Sequence, residues 1–125
     1  MVFFAEGIDT AKTKQCNRIV FTSVKVNEES CYSNTTGVFT TTVAGIYVFA
    51  ASVMSAKKDI SVTARIKVDD TDYTVLRGSY TSSASGNLSV QLEPGQTVWV
   101  EAWNDAGDYW SAGICFTGAL VQPQL

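Results

Sequence analysis

Ile60-Ser61-Val62-Thr63-Ala64-Arg65-Ile66-Lys67-Val68 is the stretch whose reading decides the fold class. Its apolar side chains, Ile60, Val62, Ala64, Ile66 and Val68, take every second position, and Ser61, Thr63, Arg65 and Lys67 fill the gaps. A period of two belongs to an extended strand with one buried and one wet face. Further along, Leu88, Val90 and Leu92 alternate with Asn87, Ser89 and Gln91, and Val98, Val100 and Ala102 alternate with Trp99, Glu101 and Trp103. No window of a dozen residues carries the three-and-four spacing of an amphipathic helix, so no long helix is expected. Turn-forming residues separate the strands at Ala44-Gly45, Asp69-Asp70-Thr71-Asp72 and Glu93-Pro94-Gly95-Gln96. Short strands so punctuated predict an all-β sandwich or jelly roll, and 125 residues suit one domain spanning 1–125.

Three segments break the one-sided pattern. In Gly45 to Met54, Tyr47, Phe49, Ala51 and Val53 alternate with Ile46, Val48, Ala50 and Met54, so both faces are apolar. Ile114 to Val121 sets Ile114, Phe116 and Leu120 against Cys115, Ala119 and Val121, and Val2-Phe3-Phe4-Ala5 repeats the theme. If these strands share a sheet, its second face is an apolar patch that a soluble monomer rarely tolerates, which predicts an oligomer.

The run Thr36-Gly37-Val38-Phe39-Thr40 followed by Gly45-Ile46-Tyr47-Val48-Phe49 resembles the signature of the complement C1q globular domain, a relative of tumour necrosis factor. Leu92-Glu93-Pro94-Gly95-Gln96-Thr97-Val98-Trp99 and Phe116-Thr117-Gly118-Ala119-Leu120 look like later motifs of that family. Ile19-Val20-Phe21 and Asn27 fall where it places an apolar strand and an asparagine. The resemblance covers essentially the whole chain. It implies a ten-stranded jelly-roll β-sandwich of two five-stranded antiparallel sheets and a compact homotrimer or heterotrimer; the second apolar face of the two-sided strands puts Val48, Ala50, Ala119 and Val121 at the interface. Thr42, Glu29 and Gln96 stand where the family usually has proline, glycine and aspartate, and each removes a turn preference. No collagen-like stem is present, so the chain resembles the head-only C1q-domain proteins of invertebrates. Their usual role implies a secreted, extracellular molecule recognising microbial or glycan ligands in innate immunity.

Composition narrows the function classes. A net charge of −3 and a pI near 4.7 argue against nucleic acid. No apolar run is long enough to span a membrane, and Met1 to Glu6 lacks the positive start and apolar length of a secretory signal. Without histidine, Ser-His and Cys-His nucleophiles and His-ligated metals are excluded. Glu101 with Asp105 or Asp108 would be a minimal glycosidase pair, unsupported by any other sign of a cleft, so no enzyme is expected. Cys16, Cys31 and Cys115 allow at most one internal disulfide of undetermined pairing, and Cys115 reads as a small core residue in Ile114-Cys115-Phe116. Asn34-Thr35-Thr36 and Asn87-Leu88-Ser89 are acceptor tripeptides for N-glycosylation.

Alternate connections of such a sandwich lie at opposite ends, which gathers the long loops Met54 to Asp59, Gly78 to Gly86 and Asn104 to Gly113 at one of them. There Trp103, Asn104, Asp105, Asp108, Tyr109 and Trp110 combine flat aromatic faces with short acceptors, the pattern that binds sugars. Tyr80, Thr81, Ser82 and Ser83 would complete the pocket, and Arg77 would meet an acidic sugar. Asp105 and Asp108 could also supply hard oxygen ligands to calcium, although no cofactor is required. The expected function is lectin-like recognition by a homotrimer. The alternatives are a trimeric ligand for a cell-surface receptor, as in the tumour necrosis factor relatives, and an extracellular matrix component.

Overall fold

The computed structural model describes residues 1–80 and 82–124, with Ala112 described through its backbone alone. Among the described residues nine strands form two antiparallel sheets. They are β1 (Val2–Glu6), β2 (Ser23–Asn27), β3 (Phe39–Thr40), β4 (Gly45–Val53), β5 (Val62–Val68), β6 (Thr71–Gly78), β7 (Ala84–Leu92), β8 (Thr97–Ala102) and β9 (Cys115–Pro123). One sheet runs β2-β1-β9-β4-β7 and the other β3-β8-β5-β6. A seven-residue helix, α1 (Thr10–Cys16), lies between β1 and β2, capped by Asp9, whose side chain accepts from Lys12 N at 3.0 Å. Among the described residues no helix is long and apolar enough to cross a membrane.

The expected ten strands in two sheets of five are therefore corrected to nine, in sheets of five and four. The reason is chemical. Ile19, Val20 and Phe21 are fully buried but form no ladder; the segment meets β8 at the single bridge of Arg18 with Glu101, made by the bonds Ile19 N to Val100 O of 2.8 Å and Ala102 N to Asn17 O of 2.7 Å. Side chains serve their backbone instead. The Tyr32 hydroxyl accepts from Phe21 N and donates to Phe21 O, each at 2.9 Å, and the Thr13 hydroxyl accepts from Val20 N at 3.1 Å. Buried peptide groups need partners, and here two polar side chains take the place of a strand.

The faces follow the alternation. Tyr47, Phe49, Ala51 and Val53 of β4 point inward beside Phe116 of β9 and Phe3 of β1, and meet Val62, Ala64, Ile66, Val98 and Val100 of the opposite sheet. Phe3 is the crossing point of the aromatic core, with ring centroids 5.1 Å from Tyr32, 5.3 Å from Phe39 and 4.9 Å from Phe116. Gly118 makes this approach possible, because a Cβ there would lie 2.6 Å from ring atoms of both Phe3 and Phe49. Cys115, expected in the core, is half-buried on the other face with its Sγ 3.1 Å from Ser52 Oγ; all three cysteines are free.

Two of the unusual turn residues explain themselves. Gln96 closes the β7–β8 turn, its Oε1 accepting from Glu93 N at 2.7 Å while its Nε2 donates to Asp69 Oδ2 at 2.9 Å. Glu29, by contrast, sits at φ 57°, a left-handed conformation that costs a side chain about 1–2 kcal/mol and glycine nothing steric. Set against the greater chain entropy glycine loses on folding, Glu29→Gly should stabilise the fold by about 0.5–1 kcal/mol. Thermal unfolding checks this, and an unchanged or lower Tm would count against it.

Asp69 and Asp72 predict a response to acid. Hydrogen bonds from the Gln96 side chain, Thr97 N and the Thr97 hydroxyl hold the Asp69 carboxyl below the usual range, and Arg65 with Lys67 does the same for Asp72. The unfolded chain therefore takes up these protons first as pH falls. Their stabilisation is complete above about pH 5 and declines below about pH 4 as the folded carboxyls titrate. Urea unfolding between pH 3 and 6 should show a shallower decline for Asp69→Asn, which tolerates the same backbone φ of 47°.

Candidate functional site

Hydrogen bonds across the loops fix which connections share an end. Gly95 N donates to Thr41 O at 2.8 Å and Asp69 N to Thr97 O at 3.0 Å, gathering the tight turns. At the opposite end Ser55 N donates to Ser79 O at 3.2 Å, Ala56 N to Asp108 O at 2.7 Å and Trp110 N to Met54 O at 2.9 Å, joining the long loops. The middle loop is shorter than its sequence suggested, because β7 already begins at Ala84.

The residues expected to form one pocket separate into two clefts. Trp103, Asn104 and Asp105 line a cleft of about 590 Å³ whose other wall is the end of α1, with Lys14, Cys16 and Asn17. Tyr80 and Trp110 face a second cleft of about 370 Å³ beside Ala56. Tyr109 lies between them and is buried. Its hydroxyl donates to Thr63 O and accepts from Trp103 N at 3.2 Å and Asn104 N at 3.3 Å, and burial pushes its pKa up. Tyr109 thus holds the loop rather than meeting solvent.

Other side chains of this group also have structural partners. Asn104 Oδ1 accepts from Thr63 N at 2.7 Å and its Nδ2 donates to Ser61 O at 3.1 Å, clamping the start of β5. The Asp108 carboxylate is mostly buried and lies 2.7 Å from Lys57 Nζ, a hydrogen bond that holds the lysine above its ordinary range. Asp105 accepts from Gly107 N at 3.1 Å and lies 4.0 Å from Lys14 Nζ. The two aspartates thus serve different partners, and calcium on Asp108 would have to displace Lys57. Arg77 is exposed on the outer face of β6 opposite Thr63, away from the residues lining either cleft. Ser82 and Ser83 are exposed in the β6–β7 connection, and Thr81 lies outside the described residues.

Sequence reasoning missed a polar ladder on the outer face of the four-stranded sheet. The Arg65 guanidinium stacks 3.5 Å from the Trp103 ring centroid, and Arg18 lies 5.0 Å from that of Trp99. Between them Lys67 Nζ meets Glu101 at 2.9 Å, Asp70 at 3.2 Å and Asp72 at 3.3 Å, and the hydrogen bond to Glu101 holds the ammonium well above the usual lysine range. The clue was Trp99 and Glu101 set against Lys67 and Arg65, readable once β5 and β8, with two strands between them in the chain, are known neighbours. The wall supplied by α1 was also missed, although Asp9 before the helix and Asn17 after it are ordinary capping residues.

The outer face of the five-stranded sheet is apolar at its centre. One cross-strand row reads Val26, Phe4, Thr117, Ala50 and Asn87, and the next reads Val2, Ala119, Val48 and Ser89. Val26, Ile46, Val48 and Val121 are exposed, with Val121 62% accessible where the β4–β9 register shifts. The outward residues of β7, Ser85, Asn87, Ser89 and Gln91, give this face a polar margin.

The chain contains no histidine, and no cluster of three or more metal-holding side chains occurs among the described residues. The chain is 30% identical over 129 residues to Complement C1q tumor necrosis factor-related protein 7 of Mus musculus, covering 94% of this chain and 43% of that protein. It spans less than half the length of the curated relatives it matches. Among solved structures, the globular domain of zebrafish complement 1qA protein superposes with a TM-score of 0.74 at 20% identity, over 98% of each chain. Murine APRIL gives 0.75 at 10% identity, over 96% of this chain and 98% of that one, a likeness of fold alone. Residues 2–121 match the family model described as the C1q domain, and the chain belongs to that family.

Proposed function

We propose that this chain is the head of a secreted trimeric ligand, assembled through the outer face of the five-stranded sheet and presented to a cell-surface receptor. The apolar centre of that face is the observation that carries the reading. Strands β1, β9 and β4 bury one side in the core and leave Val2, Phe4, Val48, Ala50 and Ala119 on the other, with polar β7 as a rim, the anatomy of a protein interface. Charge is confined to the end of the face, where Glu6 lies 3.8 Å from Lys25, so a second copy meets no unpaired ion at the centre. If this face meets a different surface of the next copy by a rotation of one third of a turn, the contact closes into a ring of three, with grooves between protomers where a receptor can lie. The fold shared with the tumour necrosis factor-like structures supports this reading over the glycan one.

A second reading, glycan recognition, is favoured by the two polar-aromatic clefts at the long-loop end, where the Trp103 and Trp110 rings are 59% and 47% exposed. Light scattering should first give about three times 13.5 kDa. The assembly is then applied to arrays of receptor ectodomains and of glycans, with and without calcium. Receptor binding that survives Trp103→Ala and Trp110→Ala supports the ligand reading. Glycan binding abolished by the same changes, with no receptor bound, replaces it with the second.

A further inference from the structure

The two acceptor tripeptides for N-glycosylation end in unlike places. Asn34 is exposed in the turn Ser33 to Gly37, where Gly37 N donates to Ser33 O at 2.8 Å and Arg18 Nη1 donates to Thr36 O at 3.1 Å. That turn precedes β3, at the edge of the four-stranded sheet. Asn87 is exposed on β7 and pairs directly with Ala50 of β4. Paired residues in antiparallel strands point to the same side with Cβ atoms about 5 Å apart. Asn87 therefore emerges on the same side as the apolar centre, at its polar margin, in the row that continues through Ala50, Thr117, Phe4 and Val26.

We propose that Asn87 is an N-glycan acceptor whose occupation confines the chain to the monomer, whereas a glycan on Asn34 leaves assembly intact. This rests on the reading above, that the chain is secreted and assembles through this face. The donor is an oligosaccharide linked to a polyprenyl pyrophosphate. Asn87 Nδ2 attacks the anomeric carbon, the new C–N bond replaces the C–O bond to pyrophosphate, the lipid pyrophosphate leaves with the electron pair, and the lost Nδ2 proton passes to a base.

The consequence for assembly is physical. Apolar faces associate only if the space between them is dry, and a glycan's hydroxyls cannot be stripped of water there without replacement partners. The centre of a protein interface is packed as densely as a protein interior, so a branched oligosaccharide beside Ala50 does not fit. Asn34 faces no such constraint, since its turn belongs to the other sheet. Transfer to an extended chain during synthesis precedes assembly, so the occupancy of Asn87 fixes the fraction of chains able to associate.

The test is expression of the full chain through a eukaryotic secretory pathway, separation by size, and glycopeptide mass spectrometry of each pool. Asn87 should be occupied throughout the monomer pool and unoccupied in the assembled pool, with Asn34 occupied in both. Removing the glycan from the folded monomer with an endoglycosidase should restore the assembled mass. Asn87→Gln should abolish the monomer pool, and Ser89→Ala, which destroys the acceptor tripeptide while retaining Asn87, should do the same; Asn34→Gln should not. An assembled pool carrying glycan on Asn87, or no glycan on Asn87 in either pool, overturns the proposal. Glycan-free chain made in bacteria separates the two readings: if it is monomeric, assembly through this face fails first and takes the proposal with it.

Discussion

Val48→Asp should convert the proposed trimer to monomers while leaving the fold of each chain intact. Val48 points away from the core, 38% exposed, between Ala119 and Ser89 of the flanking strands. In the isolated chain an aspartate at this position remains hydrated. In the assembly each copy would carry a carboxylate into an apolar contact, and an uncompensated buried charge costs about 3–5 kcal/mol. Each 1.4 kcal/mol is a factor of about ten in a dissociation constant, so each contact should weaken by a factor of hundreds to thousands. Sedimentation at micromolar concentration should fall from about three times 13.5 kDa to one, with an unchanged far-ultraviolet circular dichroism spectrum. Ala119→Asp, in the same row, should act alike. Retention of the assembled mass by both variants would place the interface elsewhere.

Phe3→Ala should produce the largest loss of stability of any single truncation near a chain end. Terminal residues usually fray, but β1 is held on both sides, by β2 and β9. Phe3 is fully buried and contacts the rings of Tyr32, Phe39 and Phe116 at once. Truncating a buried phenylalanine to alanine costs about 3–5 kcal/mol, a large share of the roughly 5–15 kcal/mol that stabilises an ordinary domain. Urea unfolding at constant m-value measures it. A loss below about 1 kcal/mol would mean that the surrounding rings close the cavity, contrary to the constraint that Gly118 places on Phe3 and Phe49.

What could be read from the sequence was what alternation encodes. In β4 a period of two assigns Tyr47, Phe49, Ala51 and Val53 to the core and Ile46, Val48 and Ala50 to the outer face, because successive side chains of a strand must oppose each other. The strand count was not legible in this way. Ile19, Val20 and Phe21 are as apolar as a strand, and nothing local reveals that a tyrosine eleven positions away satisfies the Phe21 backbone. The candidate pocket failed to appear whole for a similar reason. Trp103 to Trp110 is continuous in sequence, yet the Tyr109 hydroxyl reaches Thr63, forty-six positions away, and that contact divides the loop into two clefts. α1 escaped notice because seven residues make too few turns to display a helical period.

The placement of the tryptophans gives the molecule two independent optical signals. Phenylalanine and tyrosine make up the aromatic core, whereas Trp99, Trp103 and Trp110 all lie outside it, two of them beneath or beside guanidinium groups. Emission excited at the red edge of indole absorption therefore samples the polar sheet face and the long-loop end, and is nearly blind to the interior. The core is seen through the circular dichroism of Tyr32 and Tyr47, both fully enclosed. A denaturation followed by both signals tests whether loops and interior melt as one cooperative unit, since coincident curves are the mark of a two-state transition. A shift in emission without a change in the tyrosine bands would identify an event confined to the loops, such as ligand entry beside Trp103 or Trp110.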